Sequence, residues 1–382
     1  MNVLHIIIGL DIGGAEMMLN RLVESHLDNP AYRHVVVSLT DMGKLGTQLQ
    51  SKGVEVHSLG MRSAFDIPRL LWRLVHRLRV SRPDIVQTWM YHADLLGGLA
   101  ARMSGNRHVI WGIRTTDIRA GGSSATVFVR WLCARLSRWV PQVIVCAAEA
   151  SRQSHIAVGY DATKMVVVPN GYDFFWLKAS TDERKSLREK CGINQNDVVV
   201  GSLGRFHAVK DQKNFVRTAG LLAQQYPQLR FLMVGRGLDW DNAQLVDWIV
   251  SAGFKDRFIL LGERKDVPRC LAAMDIFCLH SRTEGFPNVL AEAMAMGLPC
   301  VTTDVGDAAM LVEDAGIVVP KDDSVALAQG LVWLLSMALE ARNQMGQRAK
   351  ALINAEFSIE HTHGRFEAVY ESVLNDNRGQ AN

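Results

Sequence analysis

The chain has 382 residues, of which 48% are apolar and 21% charged, with 42 Lys and Arg against 39 Asp and Glu. Such a length fits two or three domains of roughly 150 residues each, and the apolar share fills a core in each. No stretch approaches the roughly 18 consecutive apolar residues of a membrane span, and basic charge without a reading module or an aromatic-basic platform excludes nucleic acid as a partner.

The charge is uneven along the chain: residues 1–172 hold 19 Lys and Arg against 12 Asp and Glu, and residues 173–382 hold 23 against 27. A basic first half implies an anionic surface or substrate for that half alone. Cys133, Cys146, Cys191, Cys270, Cys278 and Cys300 form no Cys-x2-Cys pair or Cys/His ligand spacing, so they read as reduced, mostly buried thiols of a cytoplasmic protein. The N-terminal apolar run lacks a basic leader and is broken by His5; it predicts a buried strand rather than a signal peptide.

In chain order, short β-branched runs at 3–8, 34–39, 54–58, 84–88, 108–113, 142–147 and 165–168 alternate with longer helix-like segments. A second set follows at 198–203, 229–235, 258–262, 275–279, 299–303 and 316–319. This alternation predicts an α/β chain with two doubly wound parallel sheets, each covered on both faces. The turn chemistry of Pro169-Asn170-Gly171, with the polar stretch that runs to Asn196, sets the hinge. The expected division is 1–172, 173–357 and a closing segment 358–382, whose amphipathic helix carries Phe366, Val369, Tyr370 and Val373. Doubly wound domains bind ligands at the carboxyl ends of their strands, so two that face each other share a cleft.

Residues 9–16, Gly-Leu-Asp-Ile-Gly-Gly-Ala-Glu, join the first strand to a helix and bring Gly13 and Gly14 close to any phosphate or acceptor there. The spacing is not Gly-x-Gly-x-x-Gly, so a dinucleotide cofactor is not implied. Between Arg69 and Arg79, Leu70, Leu71, Leu74, Val75 and Leu78 form one helical stripe and Arg69, Arg73 and Arg77 another. Packing on the sheet explains the first stripe; the arginines with Trp72 also suit an anionic lipid surface. After the fourth strand, His92 is a structural histidine or an acceptor-site group.

The second set opens on Val198-Val199-Val200-Gly201-Ser202-Leu203-Gly204-Arg205, with Lys210 five residues after the Arg. A buried strand that ends in glycine, followed by two cations, suits a diphosphate. Asp239-Trp240-Asp241 matches a metal-binding Asp-x-Asp, but it precedes a helix and reads as an Asp N-cap with a dipole-favourable neighbour. Neither metal nor cofactor is expected. From Glu284 the chain reads Glu-Gly-Phe-Pro-Asn-Val-Leu-Ala-Glu, ending at Glu292, and Gly297 and Pro299 then stop the helix. The backbone N–H groups around Gly285, Phe286, Pro287, Asn288 and Val289 leave a helix N-terminus without partners, which is an anion site.

In this order the segments resemble the retaining glycosyltransferases of family 4, which have the two-domain GT-B fold, and the resemblance covers essentially the whole chain. It implies that Glu284 contacts a donor sugar, that Glu292 takes the ribose hydroxyls, and that Arg205 and Lys210 neutralise the leaving diphosphate. It also implies that Gly13, Gly14 and Gly204 face that diphosphate, that Arg264 meets the base through its main chain, and that the closing helix crosses back to the first domain. Relatives carry a His after the fifth strand; here Arg114 and Asp117 stand on that ground, with His92 the nearest alternative for the acceptor side. Asp304-Val305-Gly306-Asp307 replaces the relatives' Gly-Gly-x-x-Glu and receives no role.

The implied reaction is retaining, metal-independent transfer from a nucleotide-sugar, a UDP-sugar favoured, to a glycan or polyprenyl-linked acceptor in surface polysaccharide or lipopolysaccharide synthesis. It would take place in the cytoplasm, with docking on the inner face of the membrane. Two other classes fit the same residues: a nucleotide-sugar epimerase or hydrolase of the same fold, and a non-catalytic nucleotide-sugar-binding subunit.

Overall fold

The computed structural model describes residues 1–11, 13–115 and 123–375. The chain divides into two compact units, Met1–Gly171 with Ile359–Asn382, and Tyr172–Ser358. In the first, β1 (Asn2–Ile7), β2 (Arg33–Ser38), β3 (Glu55–Ser58), β4 (Ile85–Trp89), β5 (Val109–Ile113), β6 (Val143–Cys146) and β7 (Met165–Val167) form a parallel sheet in the order β3-β2-β1-β4-β5-β6-β7. In the second, β8 (Val198–Leu203), β9 (Leu229–Val234), β10 (Phe258–Leu260), β11 (Ile276–Leu279), β12 (Cys300–Thr303) and β13 (Gly316–Val319) are ordered β10-β9-β8-β11-β12-β13, again all parallel.

The continuous apolar runs follow from burial on both faces. In β1, Leu4 and Ile6 join the core beneath the Ile67–Ser81 and Tyr91–Ser104 helices, whereas Val3 and Ile7 face the core under the Gly14–Ser25 helix. The closing helix, Ile359–Asn375, belongs to the first unit and buries Phe366, Tyr370 and Val373 in that second core. Its hold is also polar. Trp89 Nε1 donates to His5 Nδ1 at 3.3 Å, so His5 carries its proton on Nε2. His5 then donates to His34 Nδ1 (2.8 Å), His34 to His26 Nδ1 (2.9 Å), and His26 to Glu367 Oε1 (2.9 Å). Four donors in one direction satisfy three imidazoles that sit in or beside the core.

Strand order reverses between β1 and β4 in the first sheet and between β8 and β11 in the second. A doubly wound sheet binds its ligand at such a switch point, beyond the strands' carboxyl ends.

Candidate active site

In the second unit the loops that leave β8 and β11 flank the switch point, and they are laced together. Arg282 N donates to Val209 O at 2.8 Å. Nδ1 of the buried His280 donates to Lys210 O at 2.6 Å, and burial pushes that imidazole down to about 4, so it is neutral at physiological pH. Asp211, held in the left-handed region at φ 52°, turns the chain into the Gln212–Ala223 helix. Lys210 is thereby aimed across the loop. Its Nζ lies 2.6 Å from Glu284 Oε1, and Ser281 Oγ donates to the same oxygen at 2.6 Å. Both contacts fall on Oε1 of the Glu284 carboxylate. Lys210 and Glu284 are mostly buried, with side chains 22% and 11% exposed, so their attraction is less screened than that of a surface pair.

Behind Glu284 the helix Asn288–Ala295 begins at Pro287, with no side-chain cap on its free N–H groups. It ends in a Schellman motif: Leu298 N donates to Ala293 O (3.1 Å), Gly297 N to Met294 O (2.8 Å), and Gly297 has φ 79°. Glu292 lies one turn inside. Tyr172 donates to Asn288 Oδ1 and stacks on Phe286, which packs on Phe357. The start of this helix therefore rests on the residues where the chain enters and leaves this unit.

Two glycines let loops approach that a side chain would hold apart. Gly306 (φ 55°) lies where a Cβ would come within 2.2 Å of Gly285 O and 2.7 Å of Glu284 O, and Gly235 (φ 147°) meets Gly204 O in the same way at 2.1 Å. The segment 304–307, without a role from sequence, thus backs the Glu284 loop, and Asp307 N donates to Gly285 O at 3.0 Å.

Arg205 is exposed beside Gly204, its carbonyl accepting from Gln212 Nε2. The side chain of Arg264 is taken by Asp266 in a two-pronged contact at 2.8 and 2.7 Å. One expectation is corrected. Asp239 does not cap the following helix; Asn242 does, accepting from Leu245 N at 3.2 Å, while Asp239 accepts from Asp241 N in a local turn. Asn242 also bonds Gly237 O, and an amide that spans both contacts outcompetes a carboxylate that can only accept.

In the first unit, a cavity of about 310 Å³ at the β1–β4 switch point is lined by Gly14, Met90, His92, Arg114 and Thr115. Gly13 caps the Gly14–Ser25 helix in an extended conformation, φ −151°, without a side-chain contact, so close approach rather than backbone strain is the use of a glycine there. His92 is half-buried, and its pKa is lowered by burial. Arg114 is held beneath the cavity between the rings of Trp89 and Phe366, with Nη1 donating to Val168 O and Asn170 Oδ1. Asp117 lies outside the described residues. Lys210 and Glu284 are thus brought into contact, and His92 and Arg114 share one cavity. Ser281, His280 and Gly306 were missed: the partners of His280 and Gly306 lie many residues away in sequence, and Ser281, only three residues from Glu284, meets it through the turn between them.

Residues 12–174 match the sequence family "Glycosyltransferase Family 4", and residues 197–337 match "Glycosyl transferases group 1". The chain is 28% identical over 264 residues to the UDP-Gal:alpha-D-GlcNAc-diphosphoundecaprenol alpha-1,3-galactosyltransferase of Escherichia coli, covering 67% of each protein. It is 25% identical over 336 residues to the lipopolysaccharide core biosynthesis mannosyltransferase LpcC of Rhizobium leguminosarum bv. viciae, covering 85% of this chain and 90% of that one. Among solved structures, Anabaena Alr3699/HepE in complex with UDP superimposes with a TM-score of 0.82 at 23% identity, over 97% of this chain and 100% of the other. A whole-length likeness of fold, GT-B, and two family matches that together run from residue 12 to residue 337 lead to one assignment: the chain belongs to the family 4 glycosyltransferases.

Proposed function

We propose that the protein transfers a sugar, with retention of configuration, from a UDP-sugar to a glycan or lipid-linked glycan acceptor in surface polysaccharide synthesis. The observation that carries this reading is the Lys210–Glu284 pair at the β8–β11 switch point, next to the uncapped start of the Asn288–Ala295 helix. Arg205, Lys210 and the helix N-terminus meet the charge that grows on the leaving diphosphate. One such preorganised donor is worth roughly 3–4 kcal/mol of barrier. Glu284, its Oε1 held by Lys210 and Ser281, turns Oε2 to the sugar. Glu292 takes the ribose hydroxyls, and a phosphate oxygen on the same face accepts the acceptor's proton. With protein cations and a helix N-terminus on the diphosphate, no metal is required. The names of the relatives, which act with UDP-Gal on a diphosphoundecaprenol and in lipopolysaccharide core synthesis, support the donor and acceptor classes.

The test is transfer of label from UDP-sugars to polyprenyl-linked acceptors. Glu292→Ala is expected to lose UDP affinity by roughly tenfold to a hundredfold, the worth of hydrogen bonds to a charged group, while Glu284→Gln mainly lowers turnover. Unchanged UDP affinity in the Glu292 variant, or activity that chelation abolishes and manganese restores, refutes the corresponding part.

The acceptor's setting would be an anionic membrane, met through the first unit. Residues 64–140 carry twelve Arg and no Lys against four Asp and no Glu. There Phe128, Trp131 and Trp139 stand exposed, with Arg135 over the Trp131 ring. Exposed aromatic residues among arginines suit a lipid interface. Arg73, by contrast, is taken by Leu59 O. Sedimentation with anionic vesicles should therefore depend on Phe128 and Trp131, and wild-type binding by their Ala variants would count against this docking.

A further inference from the structure

We propose that the trough between the edge strand β3 and the Ile67–Ser81 helix is a second binding site, for an acidic glycan, remote from the loops that hold Glu284 and Lys210 in sequence and in a different unit. The helix buries Leu70, Leu74, Val75 and Leu78, which leaves its next face to overlook the sheet edge. Two cavities lie there, of about 590 and 340 Å³, and they meet at Leu59 and Arg73. Arg73 Nη1 donates to Leu59 O at 2.8 Å, so its guanidinium forms a sill between two basins of one elongated trough.

The larger basin is walled by an aromatic surface. Trp72 is 69% exposed, and its ring lies parallel to that of His76, at 5.8 Å and 10°. A pyranose offers a flat C–H face to such a wall and hydroxyl or carboxylate groups at its rim; Arg33 and Arg77 line the same basin. The planar fork of Arg matches a carboxylate in a way that Lys cannot. The acids nearby are occupied. Glu55 accepts from Arg33 (3.0 Å) and His57 (2.8 Å), with Arg77 at 4.0 Å. Asp66 accepts from the backbone of Arg62 and Ser63 at 2.9 Å each. The trough thus keeps a positive excess, with Arg62 and Arg69 on the smaller basin.

Shape separates a glycan from a bilayer. Trp72 lines a cavity, whereas Phe128 and Trp131 line neither basin. The volumes fall in the range of small-ligand sites, roughly 300–1,000 Å³, and two basins in line suit consecutive units of a polymer. The choice of sugar over another stacking polyanion rests on the proposed polysaccharide chemistry; the trough does not.

The experiment measures direct binding, without donor, of a short galacturonic acid oligomer by calorimetry. A maltose oligomer of equal length, phosphatidylglycerol vesicles and an oligouridine serve as the other arms. The acidic oligomer should bind and weaken with salt, and lose about tenfold or more in affinity in Trp72→Ala and in Arg77→Gln. The maltose oligomer should bind far more weakly. Turnover of UDP-sugar on a small acceptor should be unchanged in both variants, whose melting temperatures report intact folding. Absent binding, equal binding of the neutral oligomer, full affinity in both variants, or vesicle or oligouridine binding that needs Trp72 overturns the proposal. Because the assay omits the donor, loss of the transfer reading alone would leave its result standing.

Discussion

Replacing Gly306 by Ala probes how tightly the Glu284 loop is positioned. At φ 55° an L side chain costs about 1–2 kcal/mol. The new methyl would lie 2.2 Å from Gly285 O, 2.7 Å from Glu284 O and 2.9 Å from Glu284 C. An ordinary carbon–oxygen contact is roughly 3.3 Å or more, so the 284–285 peptide must retreat by about 1 Å. Such overpacking costs about 1–3 kcal/mol, and the retreat strains the Asp307 N–Gly285 O bond. A net loss of about 2–4 kcal/mol lowers the melting temperature by roughly 5–15 °C for a unit of this size. Turnover should suffer further, since a misplacement of about 1 Å at a reacting group costs on the order of a hundredfold. Scanning fluorimetry and the transfer assay read the two effects. An unchanged melting temperature together with wild-type turnover would show that segment 304–307 does not fix the Glu284 loop.

Gly364→Ala is the opposite case: this helical glycine has open space around its missing Cβ, so the substitution should stabilise by about 0.5–1 kcal/mol in thermal unfolding, and destabilisation would be the contrary result. Arg205→Ala and Lys210→Ala should lower the rate constant for transfer more than they weaken UDP binding, because the charge they meet grows as the bond breaks; equal loss of affinity at an unaltered rate constant would mean uniform binding instead. Burial, then His26 and the N-terminal amine, lower the pKa of His34 to about 3, and burial, then His34 and His26, hold His5 well below its usual 6.5. Between about 6.5 and the folded values the unfolded chain binds the extra protons, so stability is fully present above that range and falls as pH drops through it, by about 1.4 kcal/mol per unit for each group. Melting curves from neutral to acidic pH should show this slope, and His34→Gln should flatten it; a wild-type curve without the slope refutes the assignment.

The fold was legible because parallel strands covered on both faces are unbroken apolar runs. Each of the thirteen strands among the described residues falls within two residues of its expected ends. The stop at Gly297 was readable for a related reason, since a positive φ and a following Pro are local chemistry. Long-range polar contacts were not readable. His280 is an ordinary core histidine until Lys210 O, distant in sequence, arrives. The capping of the Ala243–Ala252 helix failed at shorter range: Asp239, Asp241 and Asn242 are all competent caps, and only the backbone path selects Asn242. The stripe Arg69, Arg73 and Arg77 was correct as a stripe, but its direction depends on β3 being a sheet edge, which no local pattern states.

The closing helix sets an order on synthesis. Phe366, Tyr370 and Val373 complete a core whose other members lie before residue 169, and residues 172–358 must be made between them. At 5–20 residues per second that interval lasts roughly 10–40 s. Throughout it the nascent first sheet presents Trp89, Ile110 and Val145 without the helix that covers them, and the histidine chain from His5 to His26 lacks its terminal carboxylate, Glu367. The second unit can close on itself before the first does. Newly made chains should therefore be most vulnerable to aggregation and to chaperone capture on the uncovered face of a sheet that was translated first.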